Sequence, residues 1–238
     1  MPLSIEELDY QSTPMGELVL RRRRIRALND AEVYEVKLGD EYLMSSLFTE
    51  AEVALAEIGL EALGGEGWEV VVGGLGLGYT AAAVLAFAKV RRLVVVEALS
   101  PVIDWHRRGL VPNGGNLFGD ERCDFHHADF FALTRGKGFD PEQPNHRFDA
   151  VLLDIDHTPG ALLHPGHADF YTETGMQRLK SFLKPRGVFA LWSNDPPETS
   201  FLNILERVFD GVEGHTVEFF NPLQQTTSTN GIYVAQCG

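Results

Sequence analysis

The sequence predicts an α/β protein: a Rossmann-like, doubly wound, mostly parallel sheet with a C-terminal antiparallel hairpin, preceded by a small N-terminal antiparallel β unit. Three observations carry that reading. From Trp68 onward, short apolar runs alternate with helical stretches, the pattern of a parallel sheet covered on both faces. The run Trp68-Glu69-Val70-Val71-Val72 opens into Gly73-Gly74-Leu75-Gly76-Leu77-Gly78, and the next run, Leu93-Val94-Val95-Val96, ends on Glu97. Strand, glycine turn, helix, strand, acid suits a nucleoside-containing ligand. The glycines let backbone pass close to it, and the acid can accept hydrogen bonds from two ribose hydroxyls. The third observation is that residues 1–47 read differently, as short strand-like runs broken by Gly16, Asn29-Asp30 and Gly39-Asp40.

Taken in order, strands are expected at 17–21, 32–38 and 41–44 in the N-terminal unit. A helix follows over 48–63, with Phe48, Ala51, Leu55, Ile58 and Leu63 near one face and Thr49 in position to cap it. In the domain 48–238, strands are expected near 68–73, 92–97, 123–127, 148–154 and 187–192, and helices near 79–89, 100–109, 168–183 and 198–209. The last strands, 214–220 and 231–236, are too close for a helical crossover and so form an antiparallel pair at one edge. The Gly-, Pro- and Asn-rich segments 111–121 and 135–147 read as loops.

Composition narrows the function. At 238 residues the chain can bury a substantial core, and its formal charge of −14 disfavours nucleic acid and attracts a cationic substrate. Acidity also serves solubility alone. No apolar run of about 18 residues is present to span a membrane, and the N-terminus lacks the pattern of a signal peptide. Cys123 and Cys237 have no metal-ligand spacing, and neither do the histidines, so the expectation is a cytoplasmic protein without a metal. The basic run Arg21 to Arg24 reads as a solvated strand edge.

In an open parallel sheet, ligands bind beyond the carboxyl ends of the strands. Four such ends carry polar candidates: the glycine turn, Glu97, Asp129 and Asp154-Ile155-Asp156-His157. Gly-x-Gly-x-Gly spacing leans towards adenosyl-sulfonium ligands over NAD. Asp129 could meet an adenine amino group while Phe130 packs on the ring; capping a helix is the other reading of Asp129. Asp154 could take the proton from an attacking amine, which is not nucleophilic until it is deprotonated.

Together these residues resemble the spermidine synthase (polyamine aminopropyltransferase) family, which has the class I S-adenosylmethionine-dependent methyltransferase-like fold. The matching pieces are Gly73 to Gly78, Val96-Glu97-Ala98, Asp129, Asp149 to Asp154, Asp169-Phe170-Tyr171 and Leu183 to Val188, with Pro159-Gly160 between. The resemblance implies a cofactor site of Gly73, Gly74, Gly76, Gly78, Glu97, Asp129 and Phe130, with Glu97 on the ribose. It implies Asp154 as the base, Asp156 or His157 in place of the family's second carboxylate, and a homodimer. The donor would be decarboxylated S-adenosylmethionine and the acceptor a polyamine or related amine. Gly76 stands where the family carries an aspartate suited to the donor's ammonium, and the family's Tyr-His-Glu segment is replaced by Met44 to Glu50. Methyl transfer from intact S-adenosylmethionine is the alternative, and a catalytically weak nucleoside-binding module the third reading.

Overall fold

The computed structural model describes residues 5–238. The N-terminal unit is a four-stranded antiparallel sheet of β1 (Ile5–Thr13), β2 (Gly16–Ile25), β3 (Ala31–Leu38) and β4 (Glu41–Ser45), in that order. Strand β1 was not expected, because its acidic sequence has no apolar alternation. It pairs Glu6 and Glu7 opposite Arg22 and Arg21 of β2. The arginine run is accordingly not a sheet edge. It lies on an inner strand, where Arg21 and Arg23 both pair with Glu35 of β3, and Arg22 reaches Glu6 and Glu32. Leu18 and Leu20 point to the face opposite Arg21 and Arg23 and are fully buried, joining the core beneath the seven-stranded sheet.

Helix α1 (Glu50–Glu61) follows, with Thr49 at its N-cap position although the hydroxyl makes no capping bond. The main sheet has seven strands in the order β10-β11-β9-β8-β5-β6-β7. Its members are β5 (Trp68–Gly73), β6 (Val90–Glu97), β7 (Cys123–His127), β8 (Phe148–Leu153), β9 (Leu183–Ser193), β10 (Gly211–Asn221) and β11 (Thr226–Gln236). The first five run parallel, and the terminal hairpin adds β11 antiparallel to β9 with β10 at the edge. Every residue of β5 is buried, as a central strand covered on both faces requires.

The helices are α2 (Tyr79–Ala86), α3 (Ser100–Arg107), α4 (Gly114–Gly119), α5 (Phe130–Arg135), α6 (Glu173–Lys180) and α7 (Thr199–Glu206). Helix α4 sits inside a segment expected to be a loop, its three glycines having masked it; Gly114 lets α4 pack directly on the His106 backbone. The terminal hairpin is longer than expected, pairing as far as Asn221 with Thr226. Aromatic residues fill the second face of the sheet, where Phe130, Phe131, Phe139, Phe148, Phe170 and Phe189 are all buried.

Candidate active site

The chain reverses strand order around β5, so the crevice between the ends of β5, β6 and β8 is where a ligand fits. Backbone bonds hold these ends in register: Asp154 N–H donates to the Gly73 carbonyl at 2.8 Å, and Gly74 N–H to that of Val96 at 2.9 Å. Gly74, Gly76 and Gly78 have φ of +93°, +48° and +84°, values that suit glycine. A side chain at Gly74 would fall on the Asp154 carbonyl oxygen, so the turn and Asp154 share one narrow gap. Gly73 lies over the Phe130 ring, and Gly78 packs on His106 and Leu117. His106 is fully buried, and its Nε2 bonds the Gly76 carbonyl at 2.9 Å, which ties the turn to α3.

Gly76 has an unexpected neighbour. The Met44 thioether, from β4, fills the space a side chain there would take, and the Leu77 N–H donates to its sulfur. The position where an acid was missed from the sequence is thus covered by a polarizable, uncharged group.

Glu97 ends β6 with each carboxylate oxygen held by one amide: Oε2 by Leu75 N–H at 2.9 Å and Oε1 by Leu99 N–H at 2.8 Å. The Gly76 and Ala98 amides also lie close to this carboxylate, which lines the cavity. Burial pushes this carboxyl up from its ordinary range, while the amides around it pull back. Asp129 caps α5, its Oδ1 accepting from Phe131 N–H at 2.8 Å and Ala132 N–H at 3.2 Å, with Oδ2 unbonded among the described residues. Capping and lining the cavity are both filled by this one residue. Phe130 is 1% exposed and stacked on Phe139 at 5.0 Å, so its ring belongs chiefly to the core beneath the turn.

Asp154 accepts from the Thr80 hydroxyl at 3.0 Å, and burial pushes it up to about 6. Facing the same cavity is Glu52 of α1, pushed up to about 8 by burial and then by the Asp154 charge. Among the described residues no lysine or arginine pairs with either acid. Sequence reasoning missed Glu52. The available signal was its helical position: Leu55, Ala56 and Gly59, at i+3, i+4 and i+7, are all buried, so an acid extends the apolar stripe.

Asp156, expected to bind substrate, is corrected by its surroundings. It is 1% exposed, lies behind the cavity wall, and accepts from Leu163 N–H, His167 Nδ1 and the Tyr171 hydroxyl. The chain has left β8 by this point, so strand alternation, which would put Asp156 on the same side as Asp154, no longer holds, and the three donors draw the side chain into the wall. His157 does line the cavity, 3.8 Å from the Glu41 carboxylate of β4.

The cavity holds about 800 Å³. Glu97 and Asp129 line it together with the acid pair. Val36, Leu38, Leu43 and Met44 of the N-terminal sheet form one wall, and Trp192, Phe219 and the polar 227–230 segment form another. Among the described residues no group of three or more potential ligands could hold a metal, and no helix is long and apolar enough to cross a membrane.

This architecture is a Rossmann-like α/β fold carrying a small N-terminal antiparallel sheet, and solved structures specify it further. A spermidine synthase in complex with the transition-state analogue AdoDATO is 18% identical and superposes with a TM-score of 0.73, over 98% of this chain and 74% of that one. The spermidine synthase of Thermotoga maritima gives 0.72 at 18% identity, over 98% and 73% of the two chains. The chain has the spermidine synthase fold. No protein-family profile matches the sequence.

Proposed function

We propose that the protein is an aminopropyltransferase, moving an aminopropyl group from decarboxylated S-adenosylmethionine to a small amine. The observation that carries this reading is the unpaired acid couple Asp154 and Glu52, in the same cavity as Glu97 and Asp129. The Glu97 carboxylate at the end of β6 fits the donor's ribose, and Asp129 fits its base. Two carboxyls without a cation favour an ammonium, in a protein whose net charge of −14 already draws cations.

Chemically, the amine nitrogen attacks the carbon next to sulfur, forming C–N as C–S breaks, and the sulfonium leaves as the neutral thioether methylthioadenosine. The nitrogen loses one proton. Asp154, at about 6, is ionised near neutral pH and can receive it, with Thr80 fixing the other face of its carboxylate. Alignment supplies the rest, since alkyl transfer from a sulfonium needs little more than an in-line approach.

Methyl transfer from intact S-adenosylmethionine is the second reading, favoured by the absence of an acid at Gly76. Its methionine carboxylate, however, would enter beside the Asp154 carboxylate, where like charges repel. Product analysis after offering both donors with a mixture of diamines tests the choice. Methylthioadenosine with an extended amine is expected; S-adenosylhomocysteine would establish methyl transfer, and tight binding without product would leave a nucleoside-binding module.

A further inference from the structure

The pair Asp156–His167 lies in the cavity wall and takes no part in the chemistry above. Asp156 is 1% exposed, and His167 is hydrogen-bonded to it through its ring. An ionised carboxylate only accepts, so the 2.8 Å contact from Asp156 Oδ1 to His167 Nδ1 places the ring proton on Nδ1. In the neutral ring Nε2 is then an acceptor. The ring also lies against Phe131, with centroids 3.8 Å apart and planes 21° from parallel. Held at one edge and one face, it has a set direction. Nε2 has no protein partner among the described residues, and His167 lines the cavity.

Phe131 connects this ring to the expected base site. Its own N–H is bonded by Asp129 Oδ1, and Asp129 lines the same cavity with Oδ2 free. Asp129 and His167, which both line the cavity, are thus tied through Phe131, one at its backbone amide and the other at its ring face, and the apolar Ile155 and Leu163 share the lining. A flat, largely apolar ligand that offers a two-hydrogen donor at its edge complements that arrangement. We propose that His167, oriented by Asp156, reads the exocyclic amino group of the adenine base together with Asp129, so that the pocket selects 6-aminopurine over 6-oxopurine nucleosides. The inference rests on the adenosyl reading of the cavity. Asp156 is then a positioning residue, which explains why an acid at a strand end turns away from the reacting groups.

The test is titration calorimetry with methylthioadenosine, its 6-oxo counterpart and its 7-deaza counterpart. The unaltered protein is expected to prefer the amino compound to the oxo compound by at least about tenfold, and to bind the 7-deaza compound nearly as well as the parent. His167→Phe keeps the packing on Phe131 and should reduce the amino-over-oxo preference by about tenfold, the worth of one hydrogen bond. His167→Gln, whose amide oxygen can still accept, should restore part of it. Asp156→Asn should lower the same ratio, which a purely structural role would leave unchanged. If His167→Phe does not fold, the ratio in His167→Gln and Asp156→Asn decides. An unchanged preference in His167→Phe or in Asp156→Asn overturns the proposal. So does weak binding of the 7-deaza compound, which would mean that His167 donates to the ring nitrogen instead. Failure of the unaltered protein to bind any of the three removes the adenosyl site itself, a different outcome from binding without His167-dependent selection.

Discussion

Glu52→Gln should change how the cavity takes up a cation, by an amount that follows from the two acids. With Asp154 at about 6 and Glu52 at about 8, the empty couple near pH 7 carries one negative charge and one proton, the proton on Glu52. A bound ammonium favours ionisation of both, so binding near pH 7 expels about one proton. Affinity for an amine therefore rises with pH, close to tenfold per unit between about 6 and about 8, and levels off above that. Glutamine at 52 removes that proton and one charge-assisted hydrogen bond, worth about 1.5–3 kcal/mol, so affinity above pH 8 should fall by about ten- to a hundredfold. The pH dependence between the two values should vanish with it. Calorimetry with 1,4-diaminobutane in two buffers of different ionisation enthalpy measures affinity and proton release together. A pH-independent affinity in the unaltered protein, or proton release that persists in Glu52→Gln, would refute the reasoning.

Three further outcomes are expected. Asp154→Asn keeps a partner for the Thr80 hydroxyl, so turnover should drop by about 10²–10⁴-fold in a coupled product assay while methylthioadenosine affinity stays within about twofold. Gly74→Ala puts a side chain on the Asp154 carbonyl at a φ of +93°; thermal unfolding should show a loss of about 2–4 kcal/mol, with nucleoside binding abolished. Stability itself should depend on pH. Glu52 and Asp154 keep protons in the folded state that the unfolded chain loses near its ordinary values of 4.5 and 3.8, so denaturant midpoints should decline as pH rises from about 4.5 to about 8. That decline should flatten in Glu52→Gln.

The parts of the site that sequence made legible are those set by backbone. Gly73 to Gly78, Glu97 and Asp154 could be placed because apolar runs fix where parallel strands end, and strand ends fix what faces the crevice. What escaped depends on side-chain direction or on contacts distant in sequence. Asp156 and His157 are neighbours, yet one turns into the wall and the other into the cavity, a distinction no composition argument makes. Met44 meets Gly76 across 32 residues, and Glu52 is one of several glutamates on α1 until its helical face is considered. The arginine run misled for a related reason: its partners Glu6, Glu32 and Glu35 lie on two other strands, and only the pairing register brings them alongside.

The N-terminal sheet brings Val36, Leu38, Leu43 and Met44 to a cavity whose glycine turn, Glu97, Asp129 and Asp154 all belong to the part of the chain that builds the seven-stranded sheet. On the proposed reading, two separately encoded segments divide the labour, one holding the constant part of the donor and the other bordering whatever is attached to it. Such a partition makes the protein easy to diversify. Exchanging a few residues of one small sheet would alter which sulfonium substituent or acceptor is admitted, leaving the strand-end acids and the glycine turn as they are.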